Sequence, residues 1–134
     1  IADSATTKWD IGFRGTTIIV NGGISGPGKA AAQVWTGIFA DLAEAPETGY
    51  STDAVSAYAI PSGSGKGWYT YNPAAMTIIP TAGKVLIFKT ENKKYAKMEI
   101  LSYYKGAPAA PKLTDLPRFF TFRYSLQVDG TRKF

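Results

Sequence analysis

The sequence predicts an all-β protein, with many short antiparallel strands and little helix, and three observations support this prediction. Fourteen glycines and eight prolines are scattered among short apolar runs, and this spacing favours strands and turns over long helices. Two longer segments, residues 95–104 and 119–128, alternate apolar and polar side chains as strands do. A length of 134 residues, 45% of them hydrophobic, fits one domain over residues 1–134 with its own core.

In the N-terminal third, three short segments predict strands. Residues 9–13 alternate aromatic or aliphatic side chains with Asp and Gly, which is typical of a half-buried strand. Residues 16–20 are all β-branched and end at an Asn-Gly-Gly turn signal. Residues 29–36 fit a helical turn or a strand, and we interpret them as a strand because they end in Val-Trp-Thr.

The middle of the chain is more irregular. Residues 39–44 predict a short helix or an irregular stretch that ends before a proline, and residues 57–60 predict a strand. Residues 68–71 are aromatic and predict a strand that Asn-Pro then breaks. Residues 76–79 predict a short extended segment closed by Pro80.

The C-terminal half carries the clearest strand signals. Residues 85–90 and 95–104 flank a polar Glu-Asn-Lys-Lys turn, so they predict a β-hairpin. Residues 119–128 form the last predicted strand, after a Pro- and Ala-rich connection. Its alternation places five apolar side chains on one face: Phe120, Phe122, Tyr124, Leu126 and Val128.

The composition excludes several kinds of chemistry. Without cysteine or histidine, the chain has no disulfide framework, thiolate nucleophile, iron–sulfur ligation, Ser-His-Asp triad or ordinary zinc site. The carboxylates are dispersed, and we therefore predict that the protein is not an enzyme. No apolar run is long enough to span a bilayer, so no transmembrane segment is expected in this chain.

The chain is basic, with a net charge of +5, which is compatible with nucleic acid, an anionic membrane or an anionic small ligand. Its densest group of lysines is interrupted by tyrosines, and we interpret it as a solvated strand face. The alternative is that some of these lysines meet the carboxylates of a haem or another anion. Binding of single-stranded nucleic acid is a further alternative, but we predict that nucleic acid is not a partner. The group consists of Lys93, Lys94, Lys97 and Lys105.

A glycine-rich segment, residues 23–29, has the glycine and lysine spacing of a phosphate-binding P-loop. Ala30 stands where that motif needs the hydroxyl that binds magnesium, and Pro27 removes one backbone donor. An all-β chain also lacks the βαβ unit in which such loops occur. We therefore predict an ordinary glycine-rich loop.

The two methionines are the softest candidate metal ligands in the chain. Met98 shares a strand face with Ala96 and Ile100, so it is predicted to fill the core. Met76 follows the Asn-Pro turn and is predicted to lie at a loop edge, where a side chain can reach a ligand. A thioether is a weak axial ligand that favours ferrous haem iron, whereas a tyrosine phenolate favours ferric iron.

Three segments together resemble the HmuY family, the secreted or surface-anchored haem-binding proteins of Bacteroidetes-type bacteria. They read WDIGFR at residues 9–14, KYAKMEILSYYKG at 94–106 and RYSLQVDG at 123–130. The resemblance extends over residues 9–134 and implies an all-β fold, haem or porphyrin as ligand, and capture of haem iron for the bacterium. It also implies export, either as an outer-membrane lipoprotein or as a released haemophore, with an outer-membrane haem receptor as a possible partner. We expect that a leader or a longer N-terminal region preceded Ile1 and that the family's N-terminal strands are shortened or missing.

The resemblance also implies candidate site residues. The family's Trp-Tyr-x-Tyr-Asn-Pro followed by an axial ligand resembles residues 68–73 with Met76. The family uses two axial side chains, and the first should lie within residues 44–56, where Tyr50 is the one suitable side chain in the absence of His and Met. The alternative function is a surface adhesion or glycan-binding module that kept the fold and lost the ligand pair. The candidate walls of the haem pocket are Trp68, Tyr69, Tyr71 and Tyr58.

Overall fold

The structure is a computed structural model that describes residues 3–134. Within that range, eight strands form three antiparallel sheets, and the predicted all-β class is confirmed. No helix among these residues has the length and apolar character needed to cross a membrane. The strands are β1 (Ile11–Arg14), β2 (Thr17–Val20), β3 (Ala31–Thr36), β4 (Tyr69–Asn72), β5 (Thr77–Pro80), β6 (Lys84–Lys89), β7 (Tyr95–Tyr104) and β8 (Pro117–Gln127).

The central sheet has four strands in the order β3-β6-β7-β8. The predicted hairpin is confirmed as β6 and β7, with Leu86 opposite Met98. β8 pairs antiparallel with β7, and the register is regular from Phe122 to Gln127 but irregular towards Pro117. Two small hairpins, β1–β2 and β4–β5, complete the set of sheets.

The central sheet separates two apolar clusters, because alternate residues of a strand point to opposite faces. On the face that we call the front, Leu86 and Phe88 of β6 pack with residues of the β1–β2 and β4–β5 hairpins. On the back face, Val85 and Ile87 pack with Leu42 and other residues of the irregular segments. Full burial of each such side chain contributes about 1.5–3 kcal/mol. Both faces are therefore needed for a stable core.

Trp68 lies at the centre of the front cluster and is almost fully buried. Its ring is 5.0 Å from Tyr69, 5.9 Å from Tyr103 and 5.4 Å from Phe120, measured between centroids. The indole Nε1 donates a hydrogen bond of 2.8 Å to the Thr16 carbonyl. The side chain therefore connects the β1–β2 turn with strands β4, β7 and β8.

Two buried polar side chains hold the irregular segments against the front of the fold. The carboxylate of Asp53, 2% exposed, accepts hydrogen bonds from the backbone N–H groups of Val20 (3.0 Å) and Ala59 (2.9 Å). The Asn21 amide donates to the carbonyls of Thr6 and Trp9, each at 2.8 Å. These bonds satisfy the last N–H group of β2 and backbone groups that lie outside regular secondary structure.

The largest departure from the predicted elements concerns residues 57–60, which do not form a strand. Ala57 forms only an isolated bridge with Ala54, and the Ala59 N–H is bonded to the Asp53 side chain. The Ala59 N–H is therefore satisfied by a buried carboxylate and not by the backbone of a neighbouring strand. The strand interpretation of residues 29–36 is confirmed by β3, and residues 39–44 contain one 3₁₀ turn, Phe39–Asp41.

Candidate functional site

Met76 lies at the tip of the β4–β5 hairpin, just before Thr77 begins β5. Its side chain is 51% exposed, and its backbone adopts a φ of 53°, which is uncommon for a residue with a side chain. The Asn72 side chain fixes the turn by accepting a hydrogen bond of 3.0 Å from the Ala74 N–H. The turn therefore presents the thioether to solvent, at the loop edge where the sequence predicts it.

The four candidate aromatic walls lie in different environments. Tyr71 is exposed on the same hairpin as Met76. Trp68 and Tyr69 are buried in the front cluster, where their rings contact protein side chains. Tyr58 is half-buried, and its hydroxyl accepts a hydrogen bond of 2.9 Å from Arg14 Nη2. Of the four, Tyr71 is the one that is exposed on the hairpin that carries Met76.

Tyr50 packs against the back cluster, whereas Trp68 and Tyr69 belong to the front cluster. The central sheet therefore separates Tyr50 from these two candidates. Its ring is 5.8 Å from that of Tyr95, and its hydroxyl donates a hydrogen bond of 2.9 Å to the Pro46 carbonyl. Burial, with a smaller contribution from Tyr95, raises the pKa of Tyr50 to about 12. Near neutral pH the phenol stays protonated, which disfavours its use as a phenolate ligand.

The raised pKa of Tyr50 predicts a specific loss of stability in alkali. The ordinary pKa of a tyrosine is 10.0, and that of Tyr50 in the folded protein is about 12. The stability that the protonated phenol contributes is therefore complete below pH 10 and is lost as the pH rises towards 12. We expect Tyr50→Phe to reduce the fall in the free energy of unfolding over this range. Urea unfolding at several pH values measures this fall in the free energy of unfolding. Tyr71→Phe is the control, because Tyr71 is exposed. Equal pH slopes for wild type and Tyr50→Phe would contradict this prediction.

An open apolar groove of about 360 Å³ lies on the front face beside β8. Met98 is 5% exposed in its floor, which confirms the prediction that this methionine fills the core. The sequence analysis missed the groove because alternation shows which side chains share a face, but not whether another element covers them. The apolar lining residues are Ile11, Phe88, Ala96, Met98, Phe122, Tyr124 and Leu126.

The interpretation of the lysine group as a solvated face is wrong for Lys97, which is 6% exposed. Its ammonium donates to the carbonyls of Phe39 (2.7 Å) and Leu42 (2.8 Å) and lies 4.4 Å from the centroid of the Phe39 ring. Burial lowers the pKa of Lys97, and the nearby Arg123 lowers it further. This lysine therefore holds the 3₁₀ turn on the back face and is not open to an anionic ligand, whereas Lys93 and Lys105 are exposed.

The glycine-rich loop uses its backbone donors within the protein. The Gly28 N–H donates to Asn21 Oδ1 at 3.0 Å, and the Lys29 N–H donates to the Glu91 carboxylate. A Cβ at Gly26 would lie 2.0 Å from Asn21 Oδ1, so close packing requires glycine there. The loop thus packs around a buried side chain and does not offer these two groups to a phosphate.

The chain matches no protein-family model, and a search of curated proteins found no match. The class of protein therefore rests on the fold and the site. They define an all-β protein with an exposed thioether at a hairpin tip and an open apolar groove on its central sheet.

Proposed function

We propose that the protein is a non-enzymatic haem- or porphyrin-binding protein of the cell surface or extracellular space, which supplies haem iron to the bacterium. The observation that carries the proposal is the exposed Met76 thioether, held in left-handed backbone at the hairpin tip. A residue other than glycine that is held in this conformation often marks a functional position. The resemblance of residues 68–73 to the haem-binding family supports the same assignment. Export as an outer-membrane lipoprotein or secreted haemophore, and transfer to an outer-membrane haem receptor, belong to this proposal.

The candidate residues favour a haem iron with one axial ligand from the protein over a haem iron with two. Met76 offers a soft sulfur donor and Tyr71 an exposed ring on the same hairpin, while the positive net charge favours an anionic ligand such as a haem with its propionates. Tyr50 fits less well, because its phenol is hydrogen-bonded to Pro46, has a raised pKa and lies on the back of the sheet. We therefore expect Met76 to be the ligand whose loss changes the haem spectrum.

A haemin titration followed by absorption spectroscopy, in air and again with dithionite, tests this proposal. We expect a saturable Soret shift that sharpens on reduction, because a thioether prefers ferrous iron. Met76→Leu keeps the size and removes the sulfur donor, so it should weaken ferrous haem binding by about tenfold or more, equivalent to about 1.4 kcal/mol.

Met98→Leu is the matched control, since it removes the other methionine from a buried position and should leave the spectrum unchanged. Haem spectra of Met76→Leu identical to those of the wild type would reject Met76 as the ligand. The absence of a saturable shift in either redox state would reject the function itself.

The alternative, a surface adhesion or glycan-binding module, draws support from a different observation. Tyr71 and Tyr124 are both exposed, and aromatic rings on a surface can stack against sugars. Retention on immobilised polysaccharides, lost in Tyr71→Ala or Tyr124→Ala, together with no haem shift, would favour this function over haem capture.

A further inference from the structure

β8 is the last strand of the central sheet and, within residues 3–134, has β7 as its single neighbouring strand. Its outer edge therefore presents backbone N–H and C=O groups along an 11-residue strand. Proteins usually protect such edges with lysines, prolines or bulges, because an open edge can pair with another strand. In β8 the proline is confined to the first residue, and the pairing with β7 is regular from Phe122 to Gln127.

The side chains of β8 make this edge apolar as well as open. Tyr124 is 63% exposed, and Phe122, Leu126 and the following Val128 are exposed too. Arg123 is already engaged, because its Nε is 2.5 Å from Glu99 Oε2 and its guanidinium lies over the Phe39 ring. Asp10, which lines the groove, accepts a hydrogen bond of 2.7 Å from the Glu91 N–H. The edge and the groove beside it thus form a largely apolar surface, and these two charged side chains already have partners within the protein.

We propose that this surface binds a second copy of the chain, through antiparallel pairing of β8 with β8 of the second copy about a two-fold axis at Tyr124. In this register Tyr124 faces its own counterpart, Phe122 faces Leu126, and Phe120 faces Val128. Apolar residues therefore stand opposite apolar residues along the groove side. On the other side, Arg123 faces Ser125, so no like charges are opposed.

The neighbouring registers are less favourable, which is why the strand sequence favours an axis at Tyr124. An axis at Arg123 would place that guanidinium directly opposite its counterpart, and like charges in this position are destabilising. An axis at Phe122 would place Arg118 opposite the apolar Leu126. An axis at Ser125 would oppose no like charges, but it would pair only five residues of β8 with the second copy, against seven for the axis at Tyr124. The axis at Tyr124 thus combines the longer paired stretch with opposed apolar side chains, and this self-complementarity is the reason for assigning a second copy as the partner.

The size of the surface indicates a weak dimer. Side chains of this kind that are about half exposed contribute roughly 80–100 Å² each, so pairing buries on the order of 400 Å² per copy. Specific stable interfaces bury at least about 1,200 Å² in total. We therefore expect an association that depends on concentration, with a dissociation constant on the order of 0.1 mM.

Sedimentation equilibrium from about 10 μM to 1 mM tests for this dimer. Tyr124→Lys would place two ammonium groups opposite each other on the axis, so it should be monomeric throughout. Leu113→Lys is the matched control, because Leu113 is also 63% exposed but lies outside β8, and it should dimerise like the wild type. Tyr124→Asp should be monomeric alone and should associate when mixed with Tyr124→Lys. A wild type that remains monomeric at 1 mM overturns the proposal and leaves the edge to an unrelated strand.

Single cysteines locate the axis, since the chain has no cysteine of its own. Tyr124→Cys should form an intermolecular disulfide under mild oxidation, because the two residues at the axis are direct neighbours. Phe122→Cys and Leu126→Cys should cross-link much less, since each faces the other position and not its own counterpart. Preferential cross-linking at Phe122 or elsewhere on β8 overturns the proposed register.

Discussion

Replacing Asp53 with alanine is expected to cost about 2–6 kcal/mol of the free energy of unfolding. The substitution leaves the N–H groups of Val20 and Ala59 buried without their acceptor, and each unsatisfied group costs about 1–3 kcal/mol. A domain of this size is stable by about 5–15 kcal/mol in total. Chemical unfolding in urea should therefore show a midpoint well below that of the wild type.

Two further variants separate the hydrogen bonds from the general effect of removing a carboxylate. Asp53→Asn keeps one acceptor but turns an amide donor towards the second N–H, so its cost should lie between wild type and alanine. Asp41→Ala removes an exposed carboxylate and should change stability by less than about 0.5 kcal/mol. A loss below 1 kcal/mol in Asp53→Ala would show that the two bonds are not important for the fold.

Trp68→Ala is expected to be the second severe substitution, with a loss of about 3–5 kcal/mol. It removes a buried ring that contacts Tyr69, Tyr103 and Phe120 and breaks the hydrogen bond to the Thr16 carbonyl. Thermal unfolding and near-ultraviolet circular dichroism measure the loss, because the aromatic signal depends on this packing.

Trp68→Phe should cost clearly less than Trp68→Ala, because it retains an aromatic ring in the cluster while losing the indole N–H. If Trp68 instead served as an open wall of a ligand pocket, the alanine variant would keep its stability and lose haem binding alone. Unchanged unfolding of Trp68→Ala would therefore contradict the core role that its burial indicates.

Strands were predictable under either of two conditions. In the first, one face of the strand is buried and the other is polar. In the second, turn residues flank the segment on both sides. β6 is buried on both faces, but polar turn residues separate it from β7, and their hairpin is where the sequence predicts it. Residues 57–60 fail because their backbone is satisfied by Asp53, a side chain that a local pattern does not connect with them. Lys97 fails for the same reason, since its partners are the carbonyls of Phe39 and Leu42.

The candidate site was predictable in part. The Asn-Pro turn places Met76 at a loop edge, because the backbone must reverse between two short strands there. The sequence does not distinguish a buried aromatic residue from a pocket wall, since both are apolar, and Trp68 and Tyr69 lie in the core. The groove was not predicted, because its opening depends on which elements cover β8.

The order in which the chain folds follows from how the central sheet is connected. The turn between β6 and β7 is short, so their hairpin can form early, whereas β3 pairs with residues roughly fifty positions further along the chain and must close that long loop at a greater entropic cost. We therefore expect β3 to dock late in folding. Until then the growing sheet has two open edges, β6 and β8, and folding at high protein concentration favours aggregation at this stage.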